Sequence, residues 1–140
     1  MYTFIQKSHS GWAHLLLLVL FIAFLNAAIG YFSRKKFTTK DKKIALFALI
    51  FCHIQLVIGL ILYFISPVGM AVLGEMKNAD LRLTSLEHPL TNIIAIILIT
   101  IGWSKHKSKT TDTEKFKTFF VFYGLGLFLL LLKLPYKMWF

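Results

Sequence analysis

Five histidines are the residues of this chain with most chemistry to offer: His9, His14, His53, His88 and His106. His53 lies inside an apolar run, in Phe-Cys-His-Ile-Gln. His88 opens another, in Leu-Glu-His-Pro, and His9 stands just ahead of a third. An ionisable group in a membrane segment costs a few kcal/mol or more, so it marks a candidate functional site. Imidazoles from different helices of one bundle can ligate a haem iron, bind copper or zinc, relay protons or contact a quinone. His106 falls in a lysine-rich stretch and reads as solvated. No paired carboxylates, nucleophile–base pattern or phosphate loop is present, so the sequence offers no catalytic residues of its own.

The elements that must hold these imidazoles are apolar runs of membrane length. Of 140 residues, 57% are hydrophobic, and the mean hydropathy is +0.69. Crossing a hydrocarbon core of about 30 Å takes about twenty apolar residues. The runs predict helices over about residues 10–33, 43–65, 88–104 and 116–134. The first is too long for a signal-peptide core of about 7–15 residues, and Arg34-Lys35-Lys36 follows as a stop, so it is expected to remain as a mature helix. Pro67 and Pro135 end the second and fourth runs, and Pro89 suits the first turn of the third. The expected fold is all-α: a single membrane domain over residues 1–140, a four-helix transmembrane bundle.

Charge sets the expected topology. Of sixteen Lys and Arg, six lie between Ser33 and Lys43 and five between Lys105 and Lys117. Excess bases in short connections place those connections in the cytoplasm. The helices are then antiparallel, with both termini and the 66–87 connection outside, in the periplasm for a bacterial inner membrane. The same clustering argues against nucleic acid, which needs a basic face on a water-soluble fold, and leaves membrane lipid as the partner of these loops. The lone cysteine, Cys52, excludes an internal disulfide and reads as a small packing residue.

Helical position decides which histidines face inward, at about 100° per residue. His88 shares a small, polar face with Thr91, Asn92, Ala95, Ile99 and Gly102. His9 shares one with Ala13, Leu16, Leu20, Ala23 and Ala27, whereas His14 points away. His53 is grouped with Leu56, Leu60 and Phe64, with Gln55 on nearly the opposite side. The fourth helix has Gly124, Gly126 and many leucines, and reads as packing. The expected cofactor ligands are therefore His53 and His88, with His9 as the alternate. The same pair, His53 and His88, is the candidate for a metal. Haem is favoured over a bare ion, because no carboxylate or second cysteine stands by to complete a tetrahedral site. Arg82, Lys77 and Lys7 lie where propionates would emerge.

His-Ser-Gly-Trp at 9–12, His-Ile-Gln with Gly-Leu-Ile-Leu-Tyr at 53–63, and Leu-Glu-His-Pro at 86–89 resemble small four-helix membrane proteins labelled cytochrome b in Bacteroidetes-type bacteria. More loosely, the chain is similar to the four-helix core of cytochrome b561 and to copper-resistance membrane proteins. The resemblance implies one haem b and electron transfer with a quinone or periplasmic partner. A double set of histidine pairs at two depths, as in a two-haem cytochrome, is missing. The alternative of a different class is a cofactor-free accessory or structural subunit of a larger respiratory or secretion complex. A small metal or proton carrier is the third reading.

Overall fold

In the computed structural model, which describes residues 1–139, the chain is all helical. The long helices are α1 (Tyr2–Ser33), α2 (Thr39–Ile65), α4 (His88–His106) and α5 (Asp112–Leu132); α3 (Ala79–Arg82) and α6 (Tyr136–Trp139) are short. Four helical spans, Tyr2–Ser33, Thr39–Ile65, Ala79–His106 and Asp112–Leu132, are long and apolar enough to cross a membrane. Each long helix packs on two others, giving the ring α1–α2–α4–α5.

The faces that meet are the small ones. Leu16, Leu20, Ala23, Ala27 and Gly30 of α1 meet Ala45, Ala48 and Cys52 of α2, Ala95, Ile96 and Ile99 of α4, and Phe119, Tyr123 and Leu127 of α5. Large apolar side chains such as Phe21, Ile29, Phe47, Val57, Phe64, Ile97, Leu125 and Phe128 lie exposed around the outside. A surface this apolar matches lipid, where helices associate by close packing and internal hydrogen bonds rather than by escape from water. Gly126 shows how close the approach is. A Cβ there would lie 2.5 Å from Ile99 Cγ1 and 3.2 Å from the Ala95 carbonyl oxygen. Gly126→Val is expected to push α4 from α5 and cost about 1–3 kcal/mol, read by equilibrium unfolding in mild detergent.

Polar groups are few and joined across helices. The Trp12 indole donates to the Phe51 carbonyl at 3.0 Å, and the Tyr123 hydroxyl to the Ala45 carbonyl at 2.7 Å. α2 opens with a capping box in which Thr38 and Asp41 answer each other's backbone. The Asn26 amide of α1 donates to the same carboxylate at 3.0 Å. Between the first two helices the turn is made at Arg34, the C-cap of α1, in the left-handed region with φ 53°.

Two boundaries differ from the sequence reading. α1 begins at Tyr2 rather than near residue 10, because no proline interrupts the segment before the apolar run. The third transmembrane helix does not start at His88 or Pro89. It continues back through a π-helical stretch, Leu83–Glu87, into α3. Pro89 is the cause: it has no N–H for the Ser85 carbonyl, and its ring would crowd that oxygen in a regular helix. The widened turn makes room, and the Tyr63 hydroxyl donates to the Ser85 oxygen at 2.8 Å. Tyr63→Phe strips that carbonyl of its partner and is expected to cost about 1–2 kcal/mol in the same unfolding measurement.

Candidate functional site

The π-helical turn delivers His88 to a cavity of about 400 Å³ between α1, α2 and α4, closed at one end by α6. Its walls are largely apolar, with Leu16, Leu56, Leu60, Leu73 and Leu130 among them. His9, Gln55, Asn92, Tyr63 and Ser85 supply polar groups. The His9 and His88 rings both line it and meet edge to face, 6.2 Å between centroids with planes at 88°.

Each imidazole has its own support. His88 Nδ1 donates to the carbonyl of Lys133, just beyond the end of α5, at 2.9 Å. A carbonyl can only accept, so Nδ1 carries the proton and Nε2 keeps its lone pair. The Asn92 amide nitrogen stands 3.3 Å from Nδ1 and 3.2 Å from Nε2. A donor aligned with one lone pair would be much farther from the other nitrogen, so Asn92 caps neither. Lys133 is itself held, its ammonium 3.7 Å from the Glu87 carboxylate. On α1, the Gln55 amide donates to the His9 carbonyl at 2.9 Å and fixes the backbone there. Gly59 lets α2 approach the ring, since a Cβ at that position would lie 3.1 Å from His9 Cε1.

Among the described residues, three buried polar atoms around this one cavity have no hydrogen-bond partner: His9 Nδ1, Gln55 Oε1 and Asn92 Oδ1. Buried polar atoms are nearly always satisfied, and orphans gathered at one site call for a ligand or water.

His53 is not part of it. Its ring is exposed on the outer side of α2, with Nδ1 donating to the Leu49 carbonyl at 2.9 Å and Nε2 3.5 Å from the Thr100 hydroxyl. The grouping of His53 with Leu56, Leu60 and Phe64 divides: Leu56 and Leu60 line the cavity, whereas His53 and Phe64 are exposed outside it. The inner face of α2 is Asp41, Ala45, Ala48, Cys52 and Gln55. Gln55, read from the sequence as facing away, is the residue that enters the site. Small residues at spacings of three and four along α2 were the available signal.

Three further placements complete the comparison. His14 is exposed, with its ring 4.3 Å from that of Trp139. Arg82 is engaged by Glu87 at 3.4 Å and by the Met76 carbonyl at 2.8 Å. His106, expected in solvent, is 3% exposed at the far end of α4, packed on Trp103 and Phe119.

Among the described residues no group of three or more His, Cys, Asp or Glu side chains could hold a metal ion. A cofactor that brings its own equatorial donors needs only two. Comparison with protein-family models, curated proteins and solved structures finds no match.

Proposed function

We propose that the chain is a b-type cytochrome of a bacterial inner membrane, with one haem held between His9 and His88. The observation that carries this reading is the separation of the two rings, 6.2 Å. Two imidazoles that shared one metal, with metal–nitrogen bonds of about 2 Å and roughly 1.1 Å from nitrogen to ring centre, would have centres no more than about 6.2 Å apart, so His9 and His88 are near enough to hold the group together.

The surroundings fit the group in kind. A proton on His88 Nδ1, held by a backbone carbonyl, is the support that metal-bound imidazoles generally have, and it raises the basicity of Nε2. Leucine walls favour a flat apolar macrocycle. Gln55 and Gly59 position His9 by holding its backbone and giving its ring room. When bound, haem iron supplies one-electron exchange at a potential set by its axial ligands and the polarity around them. The protein's own part is to hold the two imidazoles and present the site near one end of the bundle.

The antiparallel arrangement belongs to this proposal. His9 meets Gln55 at one end of the α1–α2 pair, and Asn26 meets Asp41 at the other. Both basic connections then face the cytoplasm, by the excess of Lys and Arg there. The termini and the haem lie toward the periplasm, where a quinone, a periplasmic carrier or a larger respiratory complex can exchange electrons.

The test is a visible spectrum of full-length protein expressed with added haem precursor, oxidised and then reduced. The expected result is about one haem per chain with a Soret band that sharpens and shifts on reduction. Colourless protein under those conditions overturns the reading and leaves a cofactor-free accessory subunit.

A further inference from the structure

At the opposite end of the bundle a second cavity, of about 310 Å³, opens where the two basic connections meet. Its walls are Thr38 and Thr39 at the start of α2, Lys42, Lys107, Lys115 and His106, with Phe37 beneath. The Lys115 ammonium lies 5.6 Å from the centre of the Phe37 ring, and that of Lys107 lies 5.5 Å from the Trp103 ring. Among the described residues none of these three ammoniums has a carboxylate within 4 Å; the ion pairs present involve Arg82, Lys133 and Lys137. Asp41, the acidic residue at this end of α2, is 5% exposed and committed to Thr38 and Asn26.

His106 is an independent sign of a ligand. It is 97% buried, taken from its 3% exposure, and yet forms part of the cavity wall. Its Nδ1 donates to the Trp103 carbonyl, which leaves Nε2 without a protein partner among the described residues. Three like charges gathered with no carboxylate within 4 Å among the described residues repel one another, and the N-terminus of the 27-residue α2 adds partial positive charge. Helix N-terminal N–H groups, hydroxyls and ammoniums are together the donors that surround phosphate oxygens.

We propose that this cavity is a phosphate site, in which Lys42, Lys107, Lys115 and His106 close around the phosphate of an anionic lipid headgroup or a free phosphate ion. The site is separate from the His9–His88 cavity and stands whether or not haem is bound there. Its depth at the end of membrane-length helices suits a headgroup, and the cavity accepts the same chemistry from solution.

The experiment uses the full chain, delipidated in mild detergent, with its histidines labelled for nitrogen NMR. Phosphatidylglycerol, phosphatidylcholine and inorganic phosphate are titrated separately at constant ionic strength. Movement of the His106 ring resonances with phosphatidylglycerol alone assigns the site to a lipid. Movement with inorganic phosphate assigns it to the free ion. In either case His14 and His53 stay still. Lys42→Gln and Lys115→Gln each weaken binding about tenfold, as loss of a direct charge-assisted hydrogen bond does, while Lys40→Gln and Lys109→Gln outside the cavity change it about threefold or less. His106 resonances unmoved by phosphatidylglycerol and by phosphate overturn the proposal. So does equal weakening by the cavity and outside lysines. The His106 readout needs no variant and so survives misfolding of any of them.

Discussion

With the proposed haem bound, His88→Ala is expected to lower its occupancy at least about tenfold, while His53→Ala leaves occupancy and spectrum unchanged. The two outcomes follow from opposite positions on the bundle. His88 enters the cavity, its Nδ1 fixed by the Lys133 carbonyl and its Nε2 lone pair uncapped. His53 lies on the outer face beside Thr100. His9→Ala is expected to remove the second bond, giving either haem-free protein or a reduced spectrum typical of a five-coordinate iron that exogenous imidazole restores. Imidazole rescue separates loss of a ligand from loss of the fold, since a collapsed bundle has no cavity for the added ring. Loss of haem in His53→Ala with retention in His88→Ala would reverse the ligand assignment.

Much of this arrangement is written in the sequence, and the parts that are not have identifiable causes. The four runs set the helices, because a bilayer demands about twenty apolar residues with every backbone group satisfied internally. The inward face of α4 is readable from Asn92, Ala95, Ile99 and Gly102, since small residues on an otherwise Ile- and Leu-rich helix mark contact. Extended one more turn, that face reaches His106, which charge counting alone assigns to solvent. On α2 the same rule selects Ala45, Ala48, Cys52 and Gln55. Giving priority to the ionisable residue selected His53 instead. In a chain whose exterior is as apolar as its interior, hydropathy cannot say which way a helix faces. Residue size can. The π-helical turn before His88 is not readable at all, because it depends on a hydroxyl from α2 reaching the carbonyl that Pro89 leaves unbonded.

At the other end of the bundle, Asp41→Ala is expected to cost about 3 kcal/mol of stability in detergent, a large loss for a replacement distant from the His9–His88 cavity. One oxygen of this carboxylate accepts from the Thr38 N–H and hydroxyl, both at 2.9 Å. The other accepts from the Asn26 amide at 3.0 Å. The group thus fixes Thr38, the N-cap of α2, and ties it to α1 in a single step. A carboxylate in the first turn also gains from the helix dipole. Its removal leaves the Asn26 amide facing apolar neighbours, so most of the loss is the cost of an orphaned donor rather than the worth of one bond. Asn26→Ala, which leaves a carboxylate still bonded by Thr38, should cost less, about 1–2 kcal/mol. The double variant should then fall short of the sum by about 1 kcal/mol, because either replacement alone already breaks the Asn26–Asp41 contact. Tryptophan fluorescence during denaturant unfolding reads all three. Strict additivity would mean that the two side chains act separately, and that the α1–α2 pair is held by small-residue packing alone.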